Sequence, residues 1–128
     1  MLCRRGDALL MVRQPAKGLL ADLWDLPSMA REEREPAPEA LLRCARERLG
    51  VDARPIARLG AVRHAFTHLD WHTEIYAVEL LGEPLASYYP ERRFVDAVEL
   101  SALPLSSLAR RSVATAISQP EPEIDGER

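Results

Sequence analysis

Arg63-His64-Ala65-Phe66-Thr67-His68-Leu69-Asp70-Trp71-His72 is the stretch on which the fold turns. It gathers all three histidines of the chain, one of its two phenylalanines and one of its two tryptophans. Residues 56–62 before it read as a strand. Residues 69–81 after it read as a longer one, with Thr73, Ile75, Tyr76 and Val78. Phe66-Thr67-His68 therefore falls near a strand end or hairpin tip, a place that a scaffold holds rigid while leaving it open to a ligand.

Two plainer readings compete. A histidine beside a phenylalanine is often an amphipathic residue at the margin of a core. His64, His68 and His72 also recur at four-residue spacing, which on a helix would set neighbouring ligands roughly 5–6 Å apart at Cβ. Four residues along a strand span roughly 13 Å instead. One zinc ion cannot reach all three across that distance unless a hairpin turn folds them closer. Structural and functional readings of these residues both stand at this point.

Outward from this stretch, residues 1–5 read as the end of a strand, Gly6-Asp7 as a turn and residues 8–12 as the returning strand. A first strand that opens on Met1 has little lead-in: it is short, or the natural chain continues upstream. Residues 14–18 form a loop by their Pro and Gly, and Pro27 ends a short alternation through Leu23, Trp24, Asp25 and Leu26. Residues 28–38 are charged and hold two prolines, a loop or frayed turn. Residues 39–49 form the best helix, with Leu41, Cys44, Ala45 and Leu49 at three- and four-residue spacing. Pro38 and Glu39 suit its first turn and Gly50 its C-terminal cap. Arg43, Arg46, Glu47 and Arg48 read as its solvated face. Beyond the hairpin come a turn at residues 82–84, a polar aromatic loop at 87–93 and a strand at 94–99. Ser106 caps a final helix, residues 107–117, with Leu108, Val113 and Ile117 inward.

At 128 residues with 47% hydrophobic content, the chain suits one globular domain, residues 1–118. Residues 119–128 read as a disordered acidic tail. That tail carries Glu121, Glu123, Asp125 and Glu127 against Arg128, which accounts for the whole net charge of −3 and leaves the body neutral. A neutral body lacks the broad positive field of a stand-alone nucleic-acid binder, so DNA contact should be local and weak or assisted by another domain. No apolar run is long enough to cross a membrane, and the N-terminus is no secretory signal. Two cysteines, Cys3 and Cys44, make no disulfide framework. A reducing cytoplasm is the expected compartment.

Two segments together carry a resemblance. Pro15-Ala16-Lys17-Gly18-Leu19-Leu20-Ala21-Asp22-Leu23-Trp24-Asp25-Leu26-Pro27 resembles the opening of the Nudix fold, in the version found in the C-terminal domain of the MutY adenine DNA glycosylases. His64-Ala65-Phe66-Thr67-His68 resembles the His-x-Phe-Ser/Thr-His segment of that domain. The order of elements fits over nearly all of residues 1–118. The resemblance implies an α+β, Nudix-type α/β/α sandwich around a mixed sheet. It also implies a domain that reads 8-oxoguanine opposite a mispaired adenine while a separate helical domain excises the adenine.

The active Nudix box holds Mg²⁺ through glutamates, since a hard ion needs several oxygen ligands. Aligned on Gly50-Val51, Arg43 and Glu47 match the box and Glu35 falls at its upstream glutamate. Cys44 and Arg48 replace two helix glutamates, and Met29 replaces the leading glycine. One carboxylate beside a cation makes a poor Mg²⁺ site. No cofactor is expected, and no catalytic residue. The chain holds no cysteine quartet and no helix-hairpin-helix segment, so it should not excise a base itself. The partner domain would lie upstream or act in trans.

Oxidation of guanine puts an oxygen on C8 and a hydrogen on N7, which turns N7 from acceptor to donor. Thr67 offers a hydroxyl and backbone groups to that edge. Phe66 is placed to wedge or stack against bases, His68 to contact a phosphate or base edge, and His64 to order the loop from below. The family usually carries Ser where Thr67 stands. The alternative is a Nudix hydrolase with a reorganised Mg²⁺ site, drawing on Asp22, Asp25, Glu32, Glu33, Glu35, Glu47, Glu74 or Glu79. A third reading is an interaction module that keeps only the fold.

Overall fold

Leu9, Leu10, Met11 and Val12 are consecutive and each at most 5% exposed. Neighbouring residues on a strand point to opposite faces, so this strand must be covered on both. The rest of the fold supplies the cover. The computed structural model describes residues 1–15, 21–65, 70–85 and 88–118, the side chain of His64 excepted. The expected tail, residues 119–128, lies outside the described residues. The elements run Arg4–Arg5 (β1), Ala8–Arg13 (β2), Trp24–Asp25 (β3), Ala37–Cys44 (α1), Ala53–Ala65 (β4), Asp70–Leu80 (β5), Glu91–Val95 (β6), Ala97–Ala102 (α2) and Ser107–Ser118 (α3).

β2 is central. β6 lies antiparallel along one edge, from Leu9↔Val95 to Arg13↔Glu91. β1 and β3 share its other edge, pairing at Leu9 and Val12 respectively. Gly6, at φ 60°, makes the turn between β1 and β2. Ahead of β1, Leu2 runs parallel to β5: its N–H donates to the Tyr76 carbonyl at 2.8 Å and its carbonyl accepts from Val78 N–H at 3.0 Å. That parallel bridge joins the β4–β5 hairpin to the antiparallel strands and makes the arrangement mixed.

The two faces of the sheet divide the core. Leu9 and Met11 pack with Val62, Ile75, Leu108 and Val113, beneath α3. Leu10 and Val12 pack with Cys3, Cys44, Leu49 and Tyr89, beneath α1. The result is the expected α/β/α sandwich. α1 begins at Ala37 with Pro38 in its first turn. Its last turn widens into a π-helical one, Ala45–Leu49, closed by Gly50 at φ 73°.

Several expectations are corrected. The strand expected at 94–99 is β6, and it ends at Val95. Asp96 there caps α2: its carboxylate accepts from Glu99 N–H at 2.8 Å, and the Glu99 carboxylate accepts from Asp96 N–H at 3.0 Å. This reciprocal box satisfies two donors at once and starts a helix where β-prone residues suggested strand. Within the expected loop 87–93, Tyr89 is only 2% exposed and belongs to the core. In α3, Ile117 is 48% exposed, and the neighbouring Ala116 is the residue turned inward. The Ser106 hydroxyl accepts from Ala109 N–H at 3.0 Å, the expected cap.

α3 crosses β4 at Gly60, where a β-carbon would lie 2.8 Å from Thr115 Cγ2. A β-branched side chain on a helix has little rotamer freedom to withdraw. Gly60→Ala should cost about 1–3 kcal/mol, read as a lower urea midpoint at unchanged slope. Adding Thr115→Ser should recover most of the loss. A single variant as stable as the parent would mean that α3 does not sit here.

Candidate nucleic-acid interface and the box helix

The last described rung of the β4–β5 ladder is Ala65↔Asp70, preceded by His64↔Trp71 and Arg63↔His72. Arg63 and Asp70 lie on one face of this rung pair and form a forked ion pair, Nε to Oδ1 at 2.9 Å and Nη2 to Oδ2 at 2.7 Å. The Arg63 guanidinium is the largest reason that the Asp70 carboxyl is held below its ordinary range. His72 stands exposed, with Nε2 3.5 Å from the same carboxylate. On α3, Arg111 donates Nη2 to the Arg63 carbonyl at 2.7 Å. The hairpin end is thus fastened by charge across the ladder and to the neighbouring helix. Phe66, Thr67 and His68, the expected lesion contacts, lie outside the described residues, as does the side chain of His64.

A second cluster surrounds α1. Glu35 accepts two bonds from Arg43, Nε to Oε2 and Nη2 to Oε1, each 2.9 Å. Glu35 Oε1 also accepts from Glu32 N–H at 2.9 Å, and Arg43 Nη2 reaches the Ala30 carbonyl at 2.9 Å. The side chain of Glu35 is 12% exposed. The Arg43 fork, then the Glu32 amide, hold its carboxyl down to about 2. Glu47 is 59% exposed and 4.0 Å from Arg43. Neither Arg43 nor Arg48 is the solvated residue expected of this face. Arg48 donates Nη1 to the Ser28 carbonyl at 2.6 Å and stacks 4.3 Å from the Tyr88 ring. Its Nε is buried with no hydrogen-bond partner among the described residues. Cys44 is buried, and that burial pushes its thiol up.

Between α1, the loop after β3 and β5 lies a cleft of about 660 Å³, lined in part by Asp25, Met29, Arg48, Trp71 and Glu74. Asp25 Oδ1 accepts from Leu26 N–H at 2.6 Å, yet burial pushes its carboxyl up to about 6. Four of the other carboxylates weighed from sequence are paired: Asp22 with Arg13, Glu32 with Arg43, Glu74 with Arg31 and Arg58, and Glu79 with Arg54. Among the described residues, no three His, Cys, Asp or Glu side chains converge as a metal site would require.

A family model for the NUDIX domain matches residues 1–115. The chain belongs to the NUDIX family. It is 30% identical over 109 residues to the human adenine DNA glycosylase, covering 83% of this chain and 20% of that one. It therefore spans about a fifth of that relative's length. The C-terminal domain of mouse MUTYH, solved in complex with human PCNA, superposes with a TM-score of 0.67 at 23% identity, covering 94% of this chain and 87% of that one. A MutT NUDIX hydrolase from Burkholderia pseudomallei superposes with a TM-score of 0.76 at 21% identity, covering 89% and 95%. These two likenesses bear on the fold, and they agree with the α+β sandwich. No helix among the described residues is long and apolar enough to cross a membrane.

Family membership makes Mg²⁺ the ion to test against the box helix. Its donor set does not fit. Glu35 spends both oxygens on Arg43, Cys44 offers a buried protonated thiol, Arg48 brings a cation, and Glu47 is left alone. Mg²⁺ demands several well-placed oxygens and avoids cationic company. What the box residues do here is tie the loop at residues 30–35 to α1.

This tie should be visible in acid. A carboxylate held low stabilises the fold above its unfolded value and loses that contribution as pH falls through the folded value. For Glu35 the window runs from 4.5 down to about 2. Glu35→Gln should be less stable than the parent at pH 7 and should lose less of its stability across that window. Arg43→Lys should behave similarly, because an ammonium cannot replace the fork. Parallel acid-unfolding curves for parent and Glu35→Gln would sink this assignment.

Proposed function

We propose that this chain is a recognition domain of the MutY type, reading 8-oxoguanine opposite adenine in duplex DNA without Mg²⁺ and without hydrolysis of its own. The observation that carries the reading is the commitment of Glu35 to Arg43, in a NUDIX chain similar to part of an adenine DNA glycosylase. A fold that gives its box residues to structure is free to use another surface. The charge-fastened hairpin end supports that surface. It flanks the segment Phe66-Thr67-His68, whose hydroxyl, ring and imidazole suit an oxidised guanine edge.

In this reading Thr67 meets the N7–H of the lesion, Phe66 stacks or wedges, His68 contacts a phosphate or base edge, and His64 supports the loop. Adenine excision belongs to a helical glycosylase domain, upstream or in trans. Binding by the domain alone is weak, and one contact to a changed donor contributes at most about 1–3 kcal/mol of preference. Joined to the catalytic half, the same contact becomes an intramolecular second grip.

The test is a graft of this domain onto a MutY catalytic half, with adenine release measured opposite 8-oxoguanine and opposite guanine. The graft should restore discrimination, and Phe66→Ala with Thr67→Ala should remove the gain while the domain stays folded. A double variant that discriminates as well as the parent graft would refute the role given to this loop.

A further inference from the structure

The body of the chain is neutral, but its charges are not evenly placed. Residues 59–72 and 107–118 hold Arg63, Arg110 and Arg111 against Asp70 alone, together with every histidine. The fold brings these two segments together. Thr115 faces Gly60 and Arg111 reaches the Arg63 carbonyl, so α3 runs against β4 with its N-terminal end toward the hairpin end. Arg110 and Arg111 are both exposed in the first turns of α3, which contains no acidic residue. The next carboxylate along β5, Glu74, is shared between Arg31 and Arg58. Among the described strands β4 pairs only with β5. Arg111 therefore also places a cation on an otherwise open sheet edge, a common guard against unwanted strand pairing.

We propose that Arg63, Arg110 and Arg111 form a phosphate-contact strip, running from the hairpin end onto α3, that seats the duplex backbone beside the reading loop. This rests on the recognition reading above and adds the surface that supplies its affinity. A forked guanidinium suits phosphate oxygens. Asp70 takes the Nε and Nη2 edge of Arg63, so its position is set before DNA arrives and a phosphate contact there falls to Nη1. Such contacts fix register and carry no sequence information, so the strip should serve damaged and undamaged duplexes alike.

The experiment measures binding of labelled duplexes, one with 8-oxoguanine opposite adenine and one with guanine there, across a salt series. Each lost phosphate contact should lower the log–log salt slope by about 0.9. Arg110→Ala with Arg111→Ala should lower it by roughly 1–2 and weaken both duplexes by the same factor. Lys at both positions should return the slope. Arg110→Glu alone, at an exposed site with no side-chain ion pair among the described residues, covers the case in which removing Arg111 loosens α3. It should weaken both duplexes more than Arg110→Ala. An unchanged slope and affinity in folded variants, or no duplex binding by the parent at low salt, overturns the strip. Failure of the reading loop shows differently: the slope responds to the arginines, but the two duplexes bind equally.

Discussion

The constraint that orders this molecule is a central strand buried on both faces. Leu9 and Met11 need one apolar layer, and Leu10 and Val12 need another. Neither helix is dispensable, because removing either exposes half of the same strand. α3 is held by its own apolar stripe and by close seating at Gly60. α1 is short, begins after a charged loop and ends in a widened turn. Its outer anchor is electrostatic: Arg43 forks onto Glu35, which in turn closes the loop from Ala30. Arg43 and Glu35 thereby act as a brace between that loop and the helix.

Much of this was legible in the sequence, for physical reasons that differ by element. The hairpin announced itself by β-branched and aromatic residues on either side of residues 66–69. The cap of α3 was readable from Ser106, and the end of α1 from Gly50, because few residues tolerate those backbone positions. The loss of box carboxylates at Cys44 and Arg48 needed only a register anchored on Gly50. Other features were hidden. α2 is built on Asp96 and Glu99, a capping pair whose spacing was present but overshadowed by Phe94 and Val95. Tyr89 looked like a loop aromatic, since its burial depends on Cys3, Leu10 and Cys44, all distant in sequence. Arg43 and Arg48 read as solvated because partners thirteen and twenty residues upstream, Ala30 and Ser28, leave no local pattern.

Charge is distributed with the same economy. Ion pairs cover all three arginines of β4, each against a carboxylate of β5: Arg54 with Glu79, Arg58 with Glu74, Arg63 with Asp70. Exposed pairs of this kind contribute little stability individually. Their effect here is to offset charge along the hairpin, beside which α3 places Arg110 and Arg111. A locally basic end on a neutral body suits the weak, tethered DNA contact proposed above, in which most of the affinity would come from a second domain.

The brace in place of a metal is the central claim, and turnover tests it most directly. The purified chain is incubated with 8-oxo-dGTP and Mg²⁺, with and without a chelator, and pyrophosphate release is followed. Release at the uncatalysed background rate is expected in both conditions. Rapid, chelator-sensitive release would show that the box residues still assemble a metal centre, and would contradict it.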